Sequence, residues 1–376
     1  NKQWAKGLSL LISEIVFLVW FIFSGVSALS MLSNLGENKT KKVVFDQAQG
    51  VYVTKQPDNS VLILLFGIMA LFLVIGFICL YVANLRSTRA NYIKKRDGKH
   101  IATNKEELAS LLDSRLHAAL MFIPMLGILF FTVLPTVFMI SMAFTNYDRQ
   151  HPIGFSWTGF QAFGNVLSGD LAGTFFPVLG WTLIWAVAAT ATTFLGGVLL
   201  ALLIESKGIK HRKVWRTIFI VVYAVPQFVS LLLIAQFLDA QGPLNTLLQN
   251  WGWISGPLHF IDNEAAPWVA RLTVIIVNMW LGIPVSMLVM GPSLIQQFIG
   301  NINNFNVIFL LTGGKPMNNN YNGAGSTDLL VNWLYNLTFG QQQRYNASAV
   351  LGILIFILSA TISLIAYRHT TAFKEG

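Results

Sequence analysis

Charged residues are scarce in this sequence of 376 residues. Asp, Glu, Lys and Arg together make up 11% of the chain, and 54% of its residues are hydrophobic. A soluble domain carries about 25% charged residues. This composition excludes an ordinary soluble domain, and it indicates an all-α protein that crosses a membrane several times.

Cysteine and clustered histidine are also lacking. The single cysteine, Cys79, lies inside an apolar run, which excludes a disulfide framework and any cysteine-based metal site. The six histidines lie in loops or at the ends of apolar stretches, and neither an HExxH nor a CxxC motif occurs. Enzyme chemistry therefore has little support, and we expect no metal ion and no cofactor in this chain.

A run of 43 residues, 272–314, contains no Asp, Glu, Lys or Arg. One membrane span needs roughly 20 apolar residues, so the run is long enough for two. Polar side chains are costly in lipid, and we expect those of this run to face protein or a water-filled path. Its amides are Asn278, Gln296, Gln297, Asn301, Asn303, Asn304 and Asn306.

Eight membrane spans are predicted from the apolar stretches. A small β-hairpin is predicted around residues 43–53, where apolar residues alternate. The predicted spans are 8–32, 61–85, 118–146, 174–204, 217–238, two within 272–314, and 345–367.

The positive charge indicates how the spans are oriented. Seventeen Lys and Arg residues fall on the side that holds both termini, and eight fall on the other side. The positive-inside rule places the termini in the cytoplasm. The net charge of +9 is therefore a topology signal, and we predict no binding of nucleic acid.

The connection between the sixth and seventh spans is abnormally short. Only Gly291 and Pro292 lie between them, and no basic residue marks this cytoplasmic crossing. We expect that a cytoplasmic segment is missing from the sequence near residues 290–293.

The spans hold proline, glycine and amides rather than intramembrane carboxylates. Pro226 and Pro284 each remove a backbone hydrogen bond, and broken helices are where substrate sites are built in transporters. Amides with aromatic rings suit sugars, but amides also hold helices together. A proton-driven carrier is disfavoured, whereas a sodium-coupled carrier and a membrane-embedded enzyme stay open as alternatives.

Five blocks, taken in order, resemble one family. They are AFTNY (143–147), VVYAVPQFVSLLL (221–233) with GPLN downstream, VNMWLGIP (277–284), GNINNFNVIFLLTGG (300–314) and TDLLVNWLY (327–335). Together they resemble the MalF-type permease subunit of maltose/maltodextrin ABC importers.

The resemblance implies the type I permease fold of ABC importers, with a six-helix core over residues 118–376. Residues 1–117 would form an amino-terminal two-helix hairpin and a basic cytoplasmic segment. The implied partners are a second homologous permease subunit, two cytoplasmic ATPase subunits that use ATP and Mg, and an extracellular sugar-binding protein. The implied location is the bacterial plasma (inner) membrane. The family's coupling loop with its Glu-Ala-Ala signature, which docks the ATPase, is absent where the short connection lies.

The resemblance also implies a sugar site and a function. Gln227, Val285 and Gly300 depart from the family's usual residues, which leaves another oligosaccharide or glycoside as an alternative substrate to maltose and maltodextrin. The implied substrate-binding residues are Tyr223, Gln227, Asn278, Leu281, Gly282, Val285, Gly300, Asn301 and Asn304.

Overall fold

The computed structural model describes residues 3–47, 50–221, 224–288 and 293–368. The chain divides into two compact units, Asn1–Gly159 and Phe160–Gly376. The domain boundary predicted between residues 117 and 118 refers to the family's core and stays a prediction. Residues 289–292, where a segment is expected to be missing, lie outside the described residues.

The first unit contains helices and one small sheet. Its described elements are α1 (Trp4–Trp20), α2 (Val26–Leu32), β1 (Lys42–Asp46), β2 (Val51–Lys55), α3 (Ser60–Arg96), α4 (Asn104–Leu112), α5 (Leu116–Ile128) and α6 (Leu134–Met142).

Two π-helical turns make continuous spans out of four of these helices. Phe21–Gly25 joins α1 to α2, and Leu129–Val133 joins α5 to α6. The predicted hairpin is confirmed, because β1 and β2 pair antiparallel with Val44 opposite Val53.

One apolar cluster organises the first unit. Leu35, Leu64, Ile68 and Phe155 are buried together, with Leu32 packed against them. Ser60 Oγ donates to the Leu35 carbonyl at 2.7 Å, so the start of α3 is tied to the end of the preceding span. The same hydroxyl lies 3.1 Å from the Phe155 carbonyl, which fastens the segment after α6 to this cluster.

The described secondary-structure elements of the second unit are all helices. Its elements are α7 (Gln161–Leu167), α8 (Ala172–Glu205), α9 (Arg212–Val221), α10 (Gln227–Phe237), α11 (Pro243–Asn250), α12 (Pro267–Leu288), α13 (Ser293–Ile302), α14 (Phe305–Leu311), α15 (Leu330–Phe339) and α16 (Tyr345–Arg368).

Six helices among the described residues are long and apolar enough to cross a membrane. The fifth and seventh predicted spans are instead each divided into two shorter helices, α9 with α10 and α13 with α14. Pro226 directly precedes α10, as the prediction of a broken helix at this proline requires. Pro284, by contrast, does not interrupt α12, which continues to Leu288.

The segment between α14 and α15 is folded around the buried carboxylate of Asp328. Oδ2 accepts the Gly325 amide at 2.8 Å and Nδ2 of Asn336 at 3.0 Å. Gly314 has a φ of +85°, and a Cβ there would collide with this carboxylate. Burial raises the pKa of Asp328 to about 6, although the two hydrogen bonds act in the opposite direction.

This buried carboxylate predicts a pH dependence of stability. The folded pKa is raised, so the contribution of Asp328 to stability is fully present below pH about 4 and is lost as pH rises through about 6. We expect Asp328→Asn, which stays neutral, to remove a loss on the order of 2–3 kcal/mol across this window.

The measurement is thermal unfolding of both forms in detergent from pH 4 to pH 8. The two curves should coincide near pH 4, diverge as pH rises to about 6 and stay a constant distance apart above that, with the variant more stable. An equal difference at every pH would show that the substitution acts through packing and that the carboxylate does not titrate there.

Candidate functional site

A cavity of about 410 Å³ opens among α8, α10, α12, α13 and α14 in the second unit. Every side chain that lines it is neutral, and most can both donate and accept hydrogen bonds. The lining residues are Thr193, Gln227, Asn278, Gly282, Ser286, Gln297, Gly300, Asn301, Asn303, Asn304, Phe305 and Asn306.

Three asparagines form a hydrogen-bonded group on one wall of the cavity. Nδ2 of Asn304 lies 3.3 Å from Oδ1 of Asn278 and 3.4 Å from Oδ1 of Asn301. Nδ2 of Asn301 donates to Oγ1 of Thr190 on α8 at 3.0 Å. Asn278 and Asn301 are 7% and 9% exposed, so the group is nearly removed from solvent. The amides thus act as contacts between helices and as part of the cavity wall.

The break between α13 and α14 places Asn304 at this wall. The Asn304 side chain caps α14, because Oδ1 accepts the Val307 amide at 3.4 Å. On the other side of the break, Nε1 of Trp185 donates to the Asn301 carbonyl at 3.0 Å and fixes the end of α13 on α8. The interrupted backbone is therefore satisfied by named partners, as irregular backbone at membrane depth requires.

Close packing of α12 on α8 sets a second wall. A Cβ on Gly282 would overlap the methyl group of Thr193 and lie 3.1 Å from its Cβ. Thr193 cannot easily turn away, because its hydroxyl donates to the Ala189 carbonyl at 2.7 Å. One turn further, a Cβ on Gly197 would lie 2.6 Å from Cβ of Ser286. Small residues thus let the two helices approach closely, as in other membrane helix pairs.

Gln297 contributes an acceptor without a partner. Its Nε2 donates to Oγ of Ser286 at 3.1 Å. Its Oε1 is buried and accepts no hydrogen bond from any residue that the structure describes. A buried acceptor left unsatisfied costs about 1–3 kcal/mol, which a hydroxyl group of a ligand would recover.

Six of the nine predicted site residues line the cavity. Leu281 does not line it and packs instead against the apolar cluster around Trp181, Trp185 and Val277. Tyr223 and the side chain of Val285 lie outside the described residues. The six are Gln227, Asn278, Gly282, Gly300, Asn301 and Asn304.

Sequence reasoning missed further lining residues. Thr193 and Ser286 lie on helices whose sequences have the pattern of ordinary apolar spans. No motif around either residue indicates a binding site. Phe305 follows directly after Asn304, and its ring packs on Phe309 and Tyr335, with centroids at 4.7 and 5.1 Å. It supplies an aromatic surface beside the amides of the cavity.

The cavity offers hydrogen bonding and apolar contact rather than reactive groups. Among the described residues that line it there is no Asp, Glu, Lys, Arg, His or Cys. Nowhere in the described ranges do three or more His, Cys, Asp or Glu side chains come together as metal ligands would. The chemistry of the site is therefore that of binding a neutral molecule with several hydroxyl groups.

This architecture is that of a permease of an ABC importer. A chain from a bacterial alginate ABC transporter, solved in complex with an alginate pentasaccharide-bound periplasmic protein, matches it with a TM-score of 0.51 and 19% identity. The match covers 69% of this chain and 94% of that chain. No family model matches the sequence.

Two relatives are similar over nearly their whole length. The galactooligosaccharides transport system permease protein GanP of Bacillus subtilis is 31% identical, over 100% of this chain and 95% of the relative. The maltodextrin transport system permease protein MalC of Streptococcus pneumoniae is 29% identical, over 99% of this chain and 93% of the relative. The chain belongs to the family of permease subunits of ABC sugar importers, which confirms the resemblance and the prediction of a protein that crosses a membrane several times.

The alignment with GanP contains more positions than this chain has residues. It runs over 424 positions, whereas the chain has 376 residues, so 48 positions have no counterpart here. The alignment with MalC has the same length. The relatives therefore contain internal residues that this sequence lacks.

The two glycines of the cavity predict opposite responses to a methyl group. Gly282→Ala is expected to lower the free energy of unfolding by about 1–3 kcal/mol, because the new Cβ overlaps Thr193. Gly300→Ala meets nothing within 4 Å and is expected to be neutral or stabilising by up to about 1 kcal/mol. Thermal unfolding in detergent measures both. Equal melting temperatures for Gly282→Ala and the parent chain would contradict the packing of α12 on α8 described above.

Proposed function

We propose that this chain is the permease subunit of an ATP-driven importer for neutral, maltodextrin-like oligosaccharides. The observation that carries the proposal is the charge-free, amide-lined cavity at the broken helices of the second unit. Asn278, Asn301 and Asn304 would hydrogen-bond sugar hydroxyls, and the ring of Phe305 would pack on an apolar sugar face. Gln227 and Gln297 would add hydrogen-bonding groups, Gly300 would leave space for the sugar, and Gly282 would hold α12 close to α8 beside it.

The neutrality of the lining bears on the class of sugar. An acidic polysaccharide such as alginate carries carboxylates, and we expect its path to contain cationic partners. The described lining of this cavity holds amides, hydroxyls and one ring, which favours a neutral oligosaccharide. GanP and MalC are named for galactooligosaccharides and maltodextrin, both of which are neutral. A galactooligosaccharide is therefore the second candidate substrate.

The energy source would lie outside this chain. We propose that two cytoplasmic ATPase subunits bind ATP and Mg, and that the chain itself carries no cofactor and no catalytic residue. A second homologous permease subunit would complete the path, and an extracellular sugar-binding protein would deliver the substrate. The periplasmic protein in the alginate transporter complex supports a partner of this last kind. Membership of this family leaves the sodium-coupled alternative without support.

The charge distribution supports an orientation in the membrane. The loop after α8 and the first half of α9 contain Lys207, Lys210, Arg212, Lys213 and Arg216. Together with the basic C-terminal part of α3 and the loop after it, this segment would face the cytoplasm of a bacterial inner membrane, and both termini would lie on the same side.

Missing cytoplasmic residues would explain the short connection after α12. We propose that the family's coupling segment belongs near residues 290–293 and is absent from this sequence. The 48 unmatched alignment positions support an internal loss of this kind. The residues through which the chain docks on its ATPase would then lie in that segment.

Intact mass tests the missing segment. The protein purified from its native membrane is expected to exceed the 41.7 kDa of this sequence by several kilodaltons. Peptide mapping should place the additional residues between α12 and α13. A native mass of 41.7 kDa would contradict the proposal.

Substitution of the lining amides tests the sugar site. Asn278→Leu and Gln297→Leu keep the side-chain size but remove hydrogen bonding, so each is expected to lower maltodextrin uptake at least about tenfold. Gln296→Leu is the matched control, because Gln296 is exposed on α13 and does not line the cavity. Asn304 is less suitable, since its replacement also removes the cap of α14. Uptake of labelled sugar into proteoliposomes measures the effect, with the substitutions made in the native protein that retains the residues between α12 and α13.

Measurements of assembly and of substrate range distinguish the possible interpretations of this experiment. Assembly is followed by co-purification of the ATPase subunits, and lost assembly would assign the amides to helix packing alone. Parallel assays with a galactooligosaccharide and with alginate oligosaccharides identify the substrate class. Uptake of the acidic sugar in preference to both neutral sugars would contradict the proposed specificity.

A further inference from the structure

A second polar cavity, of about 320 Å³, lies between α1 and α3 in the first unit. It has no part in the sugar site, because all of its lining residues precede Gly159. Its walls combine two lysines with amides, hydroxyls and a tyrosine. The lining residues are Gln3, Lys6, Gly7, Leu10, Asn84, Ser87, Thr88, Asn91, Tyr92, Lys95 and Ile101.

The cavity lies where both helices change from apolar to polar. The 37-residue helix α3 spans about 55 Å, far more than the roughly 30 Å of a bilayer core. Its apolar run ends at Leu85, and Arg86 begins the basic part. The exposed aromatic residues Trp4 on α1 and Tyr92 on α3, 72% and 68% accessible, lie near this transition from apolar to polar residues. Such residues mark the headgroup region of a membrane, so the cavity opens at that depth.

The polar walls are held in place by hydrogen bonds. Nζ of Lys6 lies 3.2 Å from Oγ of Ser87 and 2.9 Å from a carboxylate oxygen of Glu107 on α4. Nδ2 of Asn91 donates to Oε1 of Gln3 at 3.1 Å. These contacts tie α1 to α3 and α4, so the cavity is built into the fold of this unit.

One cation of the cavity has no counter-ion. Lys95 makes no side-chain hydrogen bond or ion pair with the residues described here, whereas Lys6 is paired with Glu107. From Arg86 to Lys105 the sequence holds seven Lys and Arg residues, against Asp97 as the single acid. The cavity therefore lies in a positive field, and it has donors that could meet an anion.

We infer that this cavity binds the phosphate headgroup of an anionic phospholipid. The phosphate of the headgroup accepts hydrogen bonds from Lys95, from Ser87 and from the side-chain amide of Asn91. Leu10 lies at the apolar end of the cavity, and the exposed apolar faces of α1 and α3 continue from there, which suits acyl chains. A free phosphate has no apolar part that would contact these faces. Basic cavities at this depth are where anionic headgroups bind membrane proteins.

Gly7 allows the cavity to be filled without a change of charge. A Cβ on Gly7 would meet nothing within 4 Å. Gly7→Leu should therefore occupy the space that a headgroup needs and leave both lysines in place. Lys95→Gln removes the unpaired charge instead, and Lys94→Gln is its matched control, because Lys94 neighbours Lys95 without lining the cavity.

Native mass spectrometry of the full chain in detergent tests the inference. Dioleoyl phosphatidylglycerol is the probe, and dioleoyl phosphatidylcholine is the zwitterionic comparison. The parent chain is expected to retain one phosphatidylglycerol in preference to phosphatidylcholine. Lys95→Gln should weaken that binding about fivefold, and Gly7→Leu should abolish it, while Lys94→Gln leaves it unchanged. Size-exclusion profiles confirm that each variant is folded.

Two results would overturn the inference. An equal loss for Lys94→Gln and Lys95→Gln would mean that the basic segment attracts lipid through its general charge and that the cavity is not a site. Displacement of phosphatidylglycerol by millimolar inorganic phosphate or ATP would assign the cavity to a soluble phosphate ligand instead.

Discussion

The close approach of α12 to α8 is the contact on which the cavity depends. In a membrane, helices gain little from the hydrophobic effect when they meet, so backbones must come near enough for dispersion forces and polar contacts to act. Gly282 provides this approach opposite Thr193, and Gly197 provides it opposite Ser286. Asn278, on the same helix four residues before Gly282, is thereby brought to the level of the α13–α14 break. The position of the amide wall thus depends on Gly282 and Gly197, which have no side chains to keep the helices apart.

The break between α13 and α14 completes the amide wall of the cavity, which the contact between α12 and α8 positions. A continuous seventh span would present Asn301 and Asn304 on one helical face, with their backbone groups fully bonded within the helix. The break releases backbone groups there, of which the Asn301 carbonyl accepts from Nε1 of Trp185 and the Val307 amide donates to Oδ1 of Asn304. The same amides bind protein and line the cavity. Helix contact and sugar contact are therefore compatible roles for one asparagine, which explains why sequence chemistry alone could not choose between them.

The long apolar spans could be predicted from the sequence, because bilayer thickness dictates their length. Residues 8–32 and 174–204 correspond closely to Trp4–Leu32 and Ala172–Glu205. The end of α3 at Arg96 rather than residue 85 could not be read from hydropathy, since its basic residues are polar but still favour a helix. The break at Asn303 was also missed, because hydropathy averages composition and ignores capping. Leu281 was carried over from a family motif, and helical periodicity turns it away from its neighbour Gly282 towards the apolar cluster.

Neutral polar residues and positively charged residues occupy different parts of this chain and have different physical roles. The described lining of the cavity in the second unit is neutral, so the proposed selectivity for a sugar rests on the number and geometry of hydrogen bonds and on contact with a ring. A neutral path also avoids a large desolvation cost, because no ionised side chain has to be kept within the membrane. Positive charge is concentrated in the C-terminal part of α3 with the loop after it, and in the loop after α8 with the start of α9, where it can act on lipid headgroups and on orientation. The absence of charge from residues 272–314 is therefore a property of the proposed sugar path as much as of the membrane span.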